Sequence, residues 1–240
     1  MLKKHIIGNV FVIAVWYLLS ITISTRFVPY PHQVFFFMFT NFDQILPHLI
    51  ATLMRLAWGF SFALLIGVSI GIAMGLNERI DGLLSPLIYV LNPIPKSALT
   101  PVFLIIFGMN DFARVMIVVF IIIFPMIVSI KDATRLIPSE YFIIAKTLGY
   151  SKFETLRKVI LKAILPSLLS TIKVTIAIAI AVLYISENIG SNVGLGYYIA
   201  SNNGVNYIEM YSGIVVLSMI GYIIVIIMDI ILYKKCKWIN

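Results

Sequence analysis

Long apolar runs separated by short polar stretches dominate the pattern along this chain. A helix that crosses a bilayer needs about 20 mostly apolar residues. Six segments reach that length, with ends defined to within several residues: 6–24, 49–76, 82–109, 113–130, 164–187 and 208–233. The second and third are longer than a hydrocarbon core of about 30 Å requires, so we expect them to tilt, kink or project. The pattern predicts an all-α integral membrane protein with six transmembrane helices.

The composition agrees with a membrane protein. Hydrophobic residues make up 61% of the chain and charged residues 12%, and the mean hydropathy is +1.03. A soluble domain carries about twice that charged fraction. The net charge of +8 would suggest nucleic acid in a soluble protein. Here the basic residues cluster in short loops between apolar runs, which membrane topology requires, so we expect no nucleic-acid partner.

The lysine and arginine residues lie mainly on one side of the predicted spans. They precede the first span, separate the second from the third and the fourth from the fifth, and follow the sixth: Lys3, Lys4, Arg79, Lys131, Arg135, Lys146, Lys152, Arg157, Lys158, Lys162, Lys234, Lys235 and Lys237. The other side has Arg26 and Arg114. We therefore expect a multi-pass protein of the cytoplasmic membrane with both termini in the cytoplasm. The first run is long for a signal peptide, so we interpret it as an uncleaved span.

The cytoplasmic loop of residues 131–163 contains the clearest local pattern. Pro138 and Ser139 predict the start of a short helix, and Gly149 predicts its end in a positive-φ conformation. Four residues recur at helical spacing on one face of this helix: Tyr141, Ile144, Ala145 and Leu148.

A second, amphipathic helix is predicted just after that turn. Ser151 with Glu154 forms a capping-box pattern at its start, and Pro166 is expected in the first turn of the fifth span. The residues alone leave two interpretations of the loop open. It either docks onto a partner protein or lies on anionic lipid, attracted by its basic side chains.

The same loop resembles a known signature. Residues 145–149 (Ala-Lys-Thr-Leu-Gly), followed after nine residues by Val159-Ile160-Leu161, resemble the permease signature of bacterial and archaeal ABC importers. The chain departs from that signature at Ile143 and Ile144, which replace Glu-Ala, and at Lys162, which replaces proline.

Further matches resemble the branch of that family for sulfonates, taurine and nitrate, and together they cover roughly residues 48–235. They are Leu53-Met54-Arg55-Leu56 with Gly59-Phe60, Asn92-Pro93-Ile94-Pro95 with Thr100-Pro101 and Phe107-Gly108, and Glu187 with Gly194-Leu195-Gly196-Tyr197.

The resemblance implies a type I importer permease fold with a cytoplasmic coupling helix. It implies a homodimer that works with two separate ATPase subunits, where ATP and Mg²⁺ bind, and with a solute-binding protein. The solute would be small, an organic anion such as a sulfonate, taurine or nitrate, or a vitamin precursor. Residues 1–47 would be an added helix and outer loop, and residues 48–240 the permease core. The coupling residues would be Glu140, Tyr141, Ala145, Lys146, Thr147, Leu148 and Gly149.

Polar and helix-breaking residues within the apolar segments are candidates for a pore or gate. Pro93 and Pro95 interrupt the third segment, either as a simple kink or as a discontinuous pore-lining helix with Asn92 and Lys96 beside it. Lys96 would meet an anion that enters such a pore. After the fifth span, Glu187 and Asn188 begin a Gly- and Asn-rich stretch, either an outer gate or an ordinary exposed turn.

Other patterns that would define an enzyme are missing. The chain has no phosphate-binding loop of the type G-x-x-x-x-G-K-[ST], and its histidines, His5, His32 and His48, are scattered. We therefore expect a transporter subunit without catalytic residues, a metal site or a cofactor of its own. The rival is a self-sufficient secondary transporter or channel, which would need mid-membrane coupling residues and usually an internal repeat, and neither is evident.

Overall fold

A computed structural model describes residues 2–236, with side chains described from residue 7 onward. Within that part of the chain every regular element is helical, which confirms the all-α prediction. The α-helices are α1 (Leu2–Thr22), α2 (Pro31–Thr40), α3 (Phe42–Leu76), α4 (Glu78–Leu91), α5 (Thr100–Phe107), α6 (Asp111–Arg135), α7 (Ser139–Thr147), α8 (Lys152–Thr155), α9 (Leu161–Asn188), α10 (Leu195–Asn202) and α11 (Tyr207–Lys235). A 3₁₀ turn, Lys96–Leu99, precedes α5, and a π-helical turn, Leu156–Ile160, joins α8 to α9.

The described chain divides into two compact units. One unit contains the residues up to Met54 together with Ser186–Met219, and thus α1, α2, α10 and parts of α3 and α11. The other contains Arg55–Ile185 together with the residues from Ile220 onward, and thus α4 to α8 and most of α3 and α9. The sequence-based division into residues 1–47 and 48–240 stays a prediction.

Four of the described helices are long and apolar enough to cross a membrane by themselves. They are Phe42–Leu76, Asp111–Arg135, Lys152–Asn188 and Tyr207–Lys235. The third predicted span is a pair of helices, Glu78–Leu91 and Lys96–Phe107, bent by 81° at the break between them. The first predicted span corresponds to a shorter apolar helix, Ile7–Thr22. The structure therefore supports four or five spans by length and composition.

A row of small residues on α3 allows close packing against α6. Its members recur at every fourth position: Gly59, Ala63, Gly67, Gly71 and Gly75. A β-carbon added at Gly71 would lie 2.8 Å from Ile130 Cβ and 2.9 Å from the carbonyl oxygen of Ile127. Lipid is as apolar as the side chains, so helices associate in it through close van der Waals contact, which small residues permit.

Two ion pairs link the long helices, one between α3 and α6 and one between α9 and α11. Arg55 Nη2 donates to Asp111 Oδ1 at 2.6 Å, and Lys173 Nζ donates to Asp229 Oδ1 at 2.7 Å. A charge within a membrane span is costly unless it pairs with another group or reaches water. Each of these four residues therefore has an oppositely charged partner within its unit. Their charges are explained by this pairing, without a bound solute.

The start of the fifth span differs from the prediction. The helix runs without interruption from Lys152 to Asn188, so the expected amphipathic helix and the membrane helix are one element. The π-helical turn lets the chain pass from one to the other without a break. Pro166 consequently lies inside the helix, and the prediction that it occupies the first turn was wrong.

We predict that Gly71→Ala lowers the stability of the protein by about 1–3 kcal/mol, because the new methyl group would overlap Ile130 and a backbone oxygen that cannot move aside easily. The unfolding temperature in detergent measures this loss. Gly82→Ala is the matched control, since an added β-carbon at Gly82 on α4 meets nothing within 4 Å. Equal unfolding temperatures for the two variants would contradict the packing described for α3 and α6.

Candidate functional site

The helix break between α4 and α5 falls where the sequence predicted it. α4 ends at Leu91, with Asn92 as its C-terminal cap, and the chain turns through Pro93 and Pro95 before the 3₁₀ turn begins at Lys96. Proline has no N–H and cannot continue the hydrogen-bond ladder of a helix. Non-helical backbone at membrane depth requires burial in protein or contact with a water-filled cavity.

A cavity of about 660 Å³ lies beside this break. Its polar lining comes from the break itself, from Asn92, Lys96 and Ser97. Its remaining walls are apolar and come from the segment after Asn92, from α6 and from the second half of α9: Ile94, Ile121, Pro125, Ala177, Ile178, Ala181, Val182 and Ile185. Pro93 and Pro95 shape the break, and neither of them lines the cavity.

Lys96 is the charged residue of this cavity. Its Nζ donates to the carbonyl oxygen of Asn92 at 2.6 Å and lies 5.3 Å from the centre of the Phe124 ring. Among the residues that the structure describes, no carboxylate lies within ion-pair distance of Lys96. A backbone carbonyl and an aromatic face stabilise the ammonium group only partly, so its positive charge remains available to an anion in the cavity.

A second cavity, of about 560 Å³, adjoins the first at Pro125, which lines both. Its lining is rich in hydroxyl groups, from Ser129, Ser167, Ser170, Thr171 and Thr175, with Pro166, Val174 and Leu232 beside them. Thr171 Oγ1 lies 2.5 Å from Ser129 Oγ and 2.8 Å from the carbonyl oxygen of Ser167, within hydrogen-bond distance of both. Neutral hydroxyl groups both donate and accept hydrogen bonds, so they solvate a small polar solute without holding it tightly.

The two cavities follow a single face of α9. From Pro166 to Ile185, the exposed residues of α9 recur mainly at spacings of three and four: Ser170, Val174, Ala177, Ile178, Ala181 and Ile185. Each of them lines one of the two cavities. The exposed side of this part of α9 is therefore a continuous strip that changes from hydroxyl-lined to apolar along its length.

The predicted coupling residues form the short helix α7 and its C-terminal turn. Gly149 has φ +73°, and the N–H groups of Tyr150 and Gly149 donate to the carbonyls of Ala145 and Lys146 at 2.9 and 3.0 Å. This double hydrogen bond is the Schellman arrangement that ends a helix at glycine. The predicted short helix and its glycine end are confirmed.

The apolar face of α7 is exposed apart from one anchor. Ala145 is buried, whereas Tyr141, Ile144 and Leu148 expose 55%, 55% and 61% of their surface. The polar members of the predicted set, Glu140, Lys146 and Thr147, are exposed as well. One small residue thus holds α7 in place and leaves large apolar side chains on the surface.

The segment after the turn begins with the predicted capping box. The N–H of Glu154 donates to Ser151 Oγ at 3.2 Å, and the N–H of Ser151 donates to Glu154 Oε2 at 3.0 Å. Lys158 Nζ also donates to Glu154, at 2.9 Å. These contacts fix the direction in which the chain leaves Gly149 and enters the long helix.

Glu187 and Asn188 lie in the last turn of α9, so the expectation that they begin a loop was wrong. Glu187 is fully buried and belongs to the unit formed by the N-terminal residues and Ser186–Met219. The Thr52 hydroxyl donates to its carboxylate, with 2.9 Å to each oxygen, and the N–H of Gly196 donates to Oε2 at 2.8 Å. These donors replace the hydrogen bonds that the carboxylate would otherwise make to water. Glu187 can therefore be buried in the last turn of α9.

The same network fixes the start of α10. Thr52 Oγ1 also accepts from the N–H of Leu195 at 2.8 Å, and His48 Nδ1 accepts from the N–H of Gly194 at 3.1 Å. The first N–H groups of a helix have no partner inside it. Side chains of α3 and α9 accept hydrogen bonds from the N–H groups at the start of α10. Sequence reasoning missed Thr52 and His48, because the only local signal was two polar residues spaced four apart on an apolar helix.

Comparison with known proteins relates most of the chain to one family. The family described as "Binding-protein-dependent transport system inner membrane component" matches residues 63–234. The bicarbonate transport system permease protein CmpB of Synechococcus elongatus is 37% identical over 112 residues, which are 47% of this chain and only 40% of that relative. The putative aliphatic sulfonates transport permease protein SsuC of Bacillus subtilis is 26% identical over 198 residues, covering 82% of this chain and 72% of that relative.

A solved structure has a similar fold. It shows inward facing conformations of the MetNI methionine ABC transporter, and one of its chains superposes with a TM-score of 0.65 at 20% sequence identity. The match covers 80% of this chain and 95% of that chain. At this identity the likeness concerns the fold alone.

We predict that Thr52→Val speeds hydrogen exchange at the N–H of Leu195, because valine removes the acceptor of that N–H and a donor to Glu187. Leaving the buried N–H of Leu195 without an acceptor costs about 1–3 kcal/mol, whereas Glu187 keeps the N–H of Gly196 as a donor. Exchange mass spectrometry of peptides that cover the start of α10 measures the effect. Thr22→Val is the control, since the Thr22 hydroxyl donates only to carbonyls of its own helix. Unchanged exchange at Leu195 would contradict the network.

Proposed function

Because the chain belongs to the family of binding-protein-dependent transport system inner membrane components, we propose that it is the permease subunit of an ATP-driven ABC importer. It forms the path for a small solute, and a separate binding protein delivers that solute. Its partner ATPase binds ATP and Mg²⁺ and supplies the energy. The family match covers the helices from the middle of α3 to the end of α11 and includes both cavities and the loop around α7.

The exposed apolar face of α7 is the observation that carries this proposal. Tyr141, Ile144 and Leu148 project from a short helix whose exit is fixed by Gly149 and by the capping box of α8. Large apolar side chains on a rigid, protruding helix suit insertion into a groove of a partner protein. We propose that α7 is the coupling helix and that it binds the ATPase. Glu140, Lys146 and Thr147 would make the polar contacts at its edge.

We propose that the solute moves along the strip of α9 that lines the two cavities. Asn92 and Lys96, at the break formed by Pro93 and Pro95, line the first cavity, which supports this proposal. The lining contains one cation and no carboxylate, which favours a small anion. Relatives named for bicarbonate and for aliphatic sulfonates are consistent with this class. The candidates are therefore bicarbonate, nitrate, taurine or another sulfonate, with a vitamin precursor as a further candidate.

The proposed assembly and topology extend the sequence-based expectations. Two copies of this chain form a homodimer with two ATPase subunits, and each copy crosses the cytoplasmic membrane six times with both termini in the cytoplasm. Counting α1 and the bent pair as spans gives that number. Residues 48–240 form the permease core, and residues 1–47 are an addition to it. Closure of the ATPase pair on ATP moves α7 and turns the path from inward-facing to outward-facing.

Glu187 and Asn188 have different proposed roles from those expected of pore residues. The carboxylate of Glu187 accepts hydrogen bonds from the Thr52 hydroxyl and from the N–H of Gly196. We propose that it holds α10 and the turn before it as a rigid outer cap. Asn188 ends α9 next to it and belongs to the same cap.

We predict that Gly149→Asp uncouples the importer. An aspartate at φ +73° strains the turn that positions α7 and adds a charge beside its apolar face, so solute-stimulated ATP hydrolysis falls while the complex stays assembled. ATPase activity of the reconstituted permease–ATPase complex measures the change.

Gly204→Asp is the matched control for this experiment. Gly204 has φ +77°, and an added β-carbon meets nothing within 4 Å there or at Gly149, so the two substitutions impose the same local strain. Only Gly149 lies beside α7. Wild-type ATPase activity in Gly149→Asp, or failure of any ATPase to bind the wild-type chain, would favour a self-sufficient transporter instead.

We predict that Lys96→Met lowers uptake of the transported anion by about tenfold, which corresponds to about 1.4 kcal/mol of lost attraction in the path. Proteoliposomes with the ATPase and binding protein, supplied with labelled bicarbonate, nitrate or taurine, measure this uptake. Lys235→Met removes the same charge at the end of α11, outside both cavities, and should transport normally. Unchanged uptake and selectivity in Lys96→Met would exclude Lys96 as an anion contact.

A further inference from the structure

A cluster of charged and hydroxyl side chains joins the start of α4 to the end of α6. Asp81 Oδ2 accepts from Arg135 Nη2 at 2.7 Å, and Asp81 Oδ1 accepts from Ser85 Oγ at 2.6 Å. Lys131 Nζ lies 3.5 Å from Asp81 Oδ1 and 3.3 Å from Ser85 Oγ, with the ring of Tyr89 at 5.6 Å. We call these five residues the α4–α6 clamp.

The members of the clamp differ in burial. The Lys131 side chain is 6% exposed and that of Asp81 16%, whereas the Arg135 side chain is 44% exposed. A buried ammonium group needs its carboxylate, so the Lys131–Asp81 pair belongs to the packing of the unit. A half-exposed arginine adds little to stability. Its single hydrogen bond, from Nη2 to Asp81 Oδ2, instead links the last residue of α6 to the first turn of α4.

Beyond the clamp, apolar side chains of α4 and α6 pack against each other. Ile88 of α4 is buried with Phe124 and Ile127 of α6 and Met74 of α3, and Leu84 and Leu91 of α4 pack against this group. Because α4 is one continuous helix from Glu78 to Leu91, a displacement of its first turn reaches the break at its other end.

The clamp lies between the two functional parts of its unit. Arg135 is the last residue of α6, and only Leu136, Ile137 and Pro138 separate it from α7. Asp81 lies in the first turn of α4, whose opposite end is the break that carries Asn92 and Lys96. One connection from the proposed ATPase contact to the break at Asn92 and Lys96 thus runs through Arg135, Asp81 and α4.

We propose that Arg135 and Asp81 are positioning residues that transmit the movement of α7 to the broken pore helix. When ATPase closure moves α7, Arg135 pulls the start of α4 with it, and α4 reorients the turn at Lys96 and Ser97. This inference rests on the proposed importer function. It goes beyond that function by assigning the transmission to one side-chain contact outside both α7 and the path.

The experiment measures how the cavity responds to nucleotide in the assembled permease–ATPase complex. The chain contains one cysteine, so Cys236→Ser with Ser97→Cys creates a single reporter in the lining of the first cavity. A membrane-impermeant maleimide labels this cysteine in proteoliposomes, with and without ATP and vanadate. In the complex without further changes, trapping should alter the labelling rate by about tenfold, because it shifts the population between two conformations. Arg135→Gln should abolish this difference while ATP hydrolysis continues.

Three further variants separate transmission from general damage. Arg79→Gln removes the same charge from an exposed position two residues before Asp81 and leaves every contact of the clamp in place. The complex with this variant should respond to nucleotide normally. Arg135→Lys keeps a cation near Asp81 and should restore part of the response. Asp81→Asn also takes the carboxylate from the buried Lys131, so it should abolish the response and lower the unfolding temperature, whereas Arg135→Gln should abolish the response alone.

Each result decides between the proposal and its rejection. A normal nucleotide response in Arg135→Gln would overturn it, because the contact would then be dispensable. Failure of Arg135→Gln to assemble with the ATPase would overturn it too, because the arginine would be required for folding and not for transmission. If the complex with intact Arg135 shows no response to nucleotide, the importer proposal itself fails, and the clamp proposal fails with it.

Discussion

The absence of water from the core of a bilayer is the constraint on which this structure depends. Each backbone N–H and carbonyl there must find a partner within the protein, and helices supply those partners automatically. The chain accordingly consists of long helices and departs from them at few places. The departure at Pro93 and Pro95 costs hydrogen bonds that lipid cannot replace. It is tolerable because a cavity with polar groups from Asn92, Lys96 and Ser97 lies beside it.

The same constraint explains why Glu187 and Lys131, two buried charged residues, have partners close by. Glu187 is fully buried, yet its carboxylate has a hydroxyl donor and a backbone donor. Lys131 is nearly as buried, and Asp81 lies against it. Lys96 differs from both, because its described contacts are a carbonyl and an aromatic ring. Lys96 is partly buried and lines a cavity without a carboxylate partner among the described residues, and this difference is the physical reason for proposing that it contacts a solute.

Local features could be predicted from the sequence, and contacts between distant segments could not. The end of α7 at Gly149 and the capping box of Ser151 and Glu154 depend on neighbouring residues, so their patterns were sufficient. Glu187 and Thr52 are separated by 135 positions, and no periodicity indicates that they meet. Pro166 was misplaced for a related reason. A proline at the start of an apolar run predicts a helix start, and only the structure reveals that a π-helical turn joins two segments into one helix.

The central claim is that this chain provides a path and an exposed helix, and that a partner provides the energy. Native mass spectrometry of the tagged chain, purified in mild detergent from the membranes in which it is naturally made, tests this most directly. The account predicts a complex of two copies of this chain with two nucleotide-binding subunits that hydrolyse ATP. Recovery of the chain without such subunits, together with solute transport by the chain alone in liposomes, would contradict it.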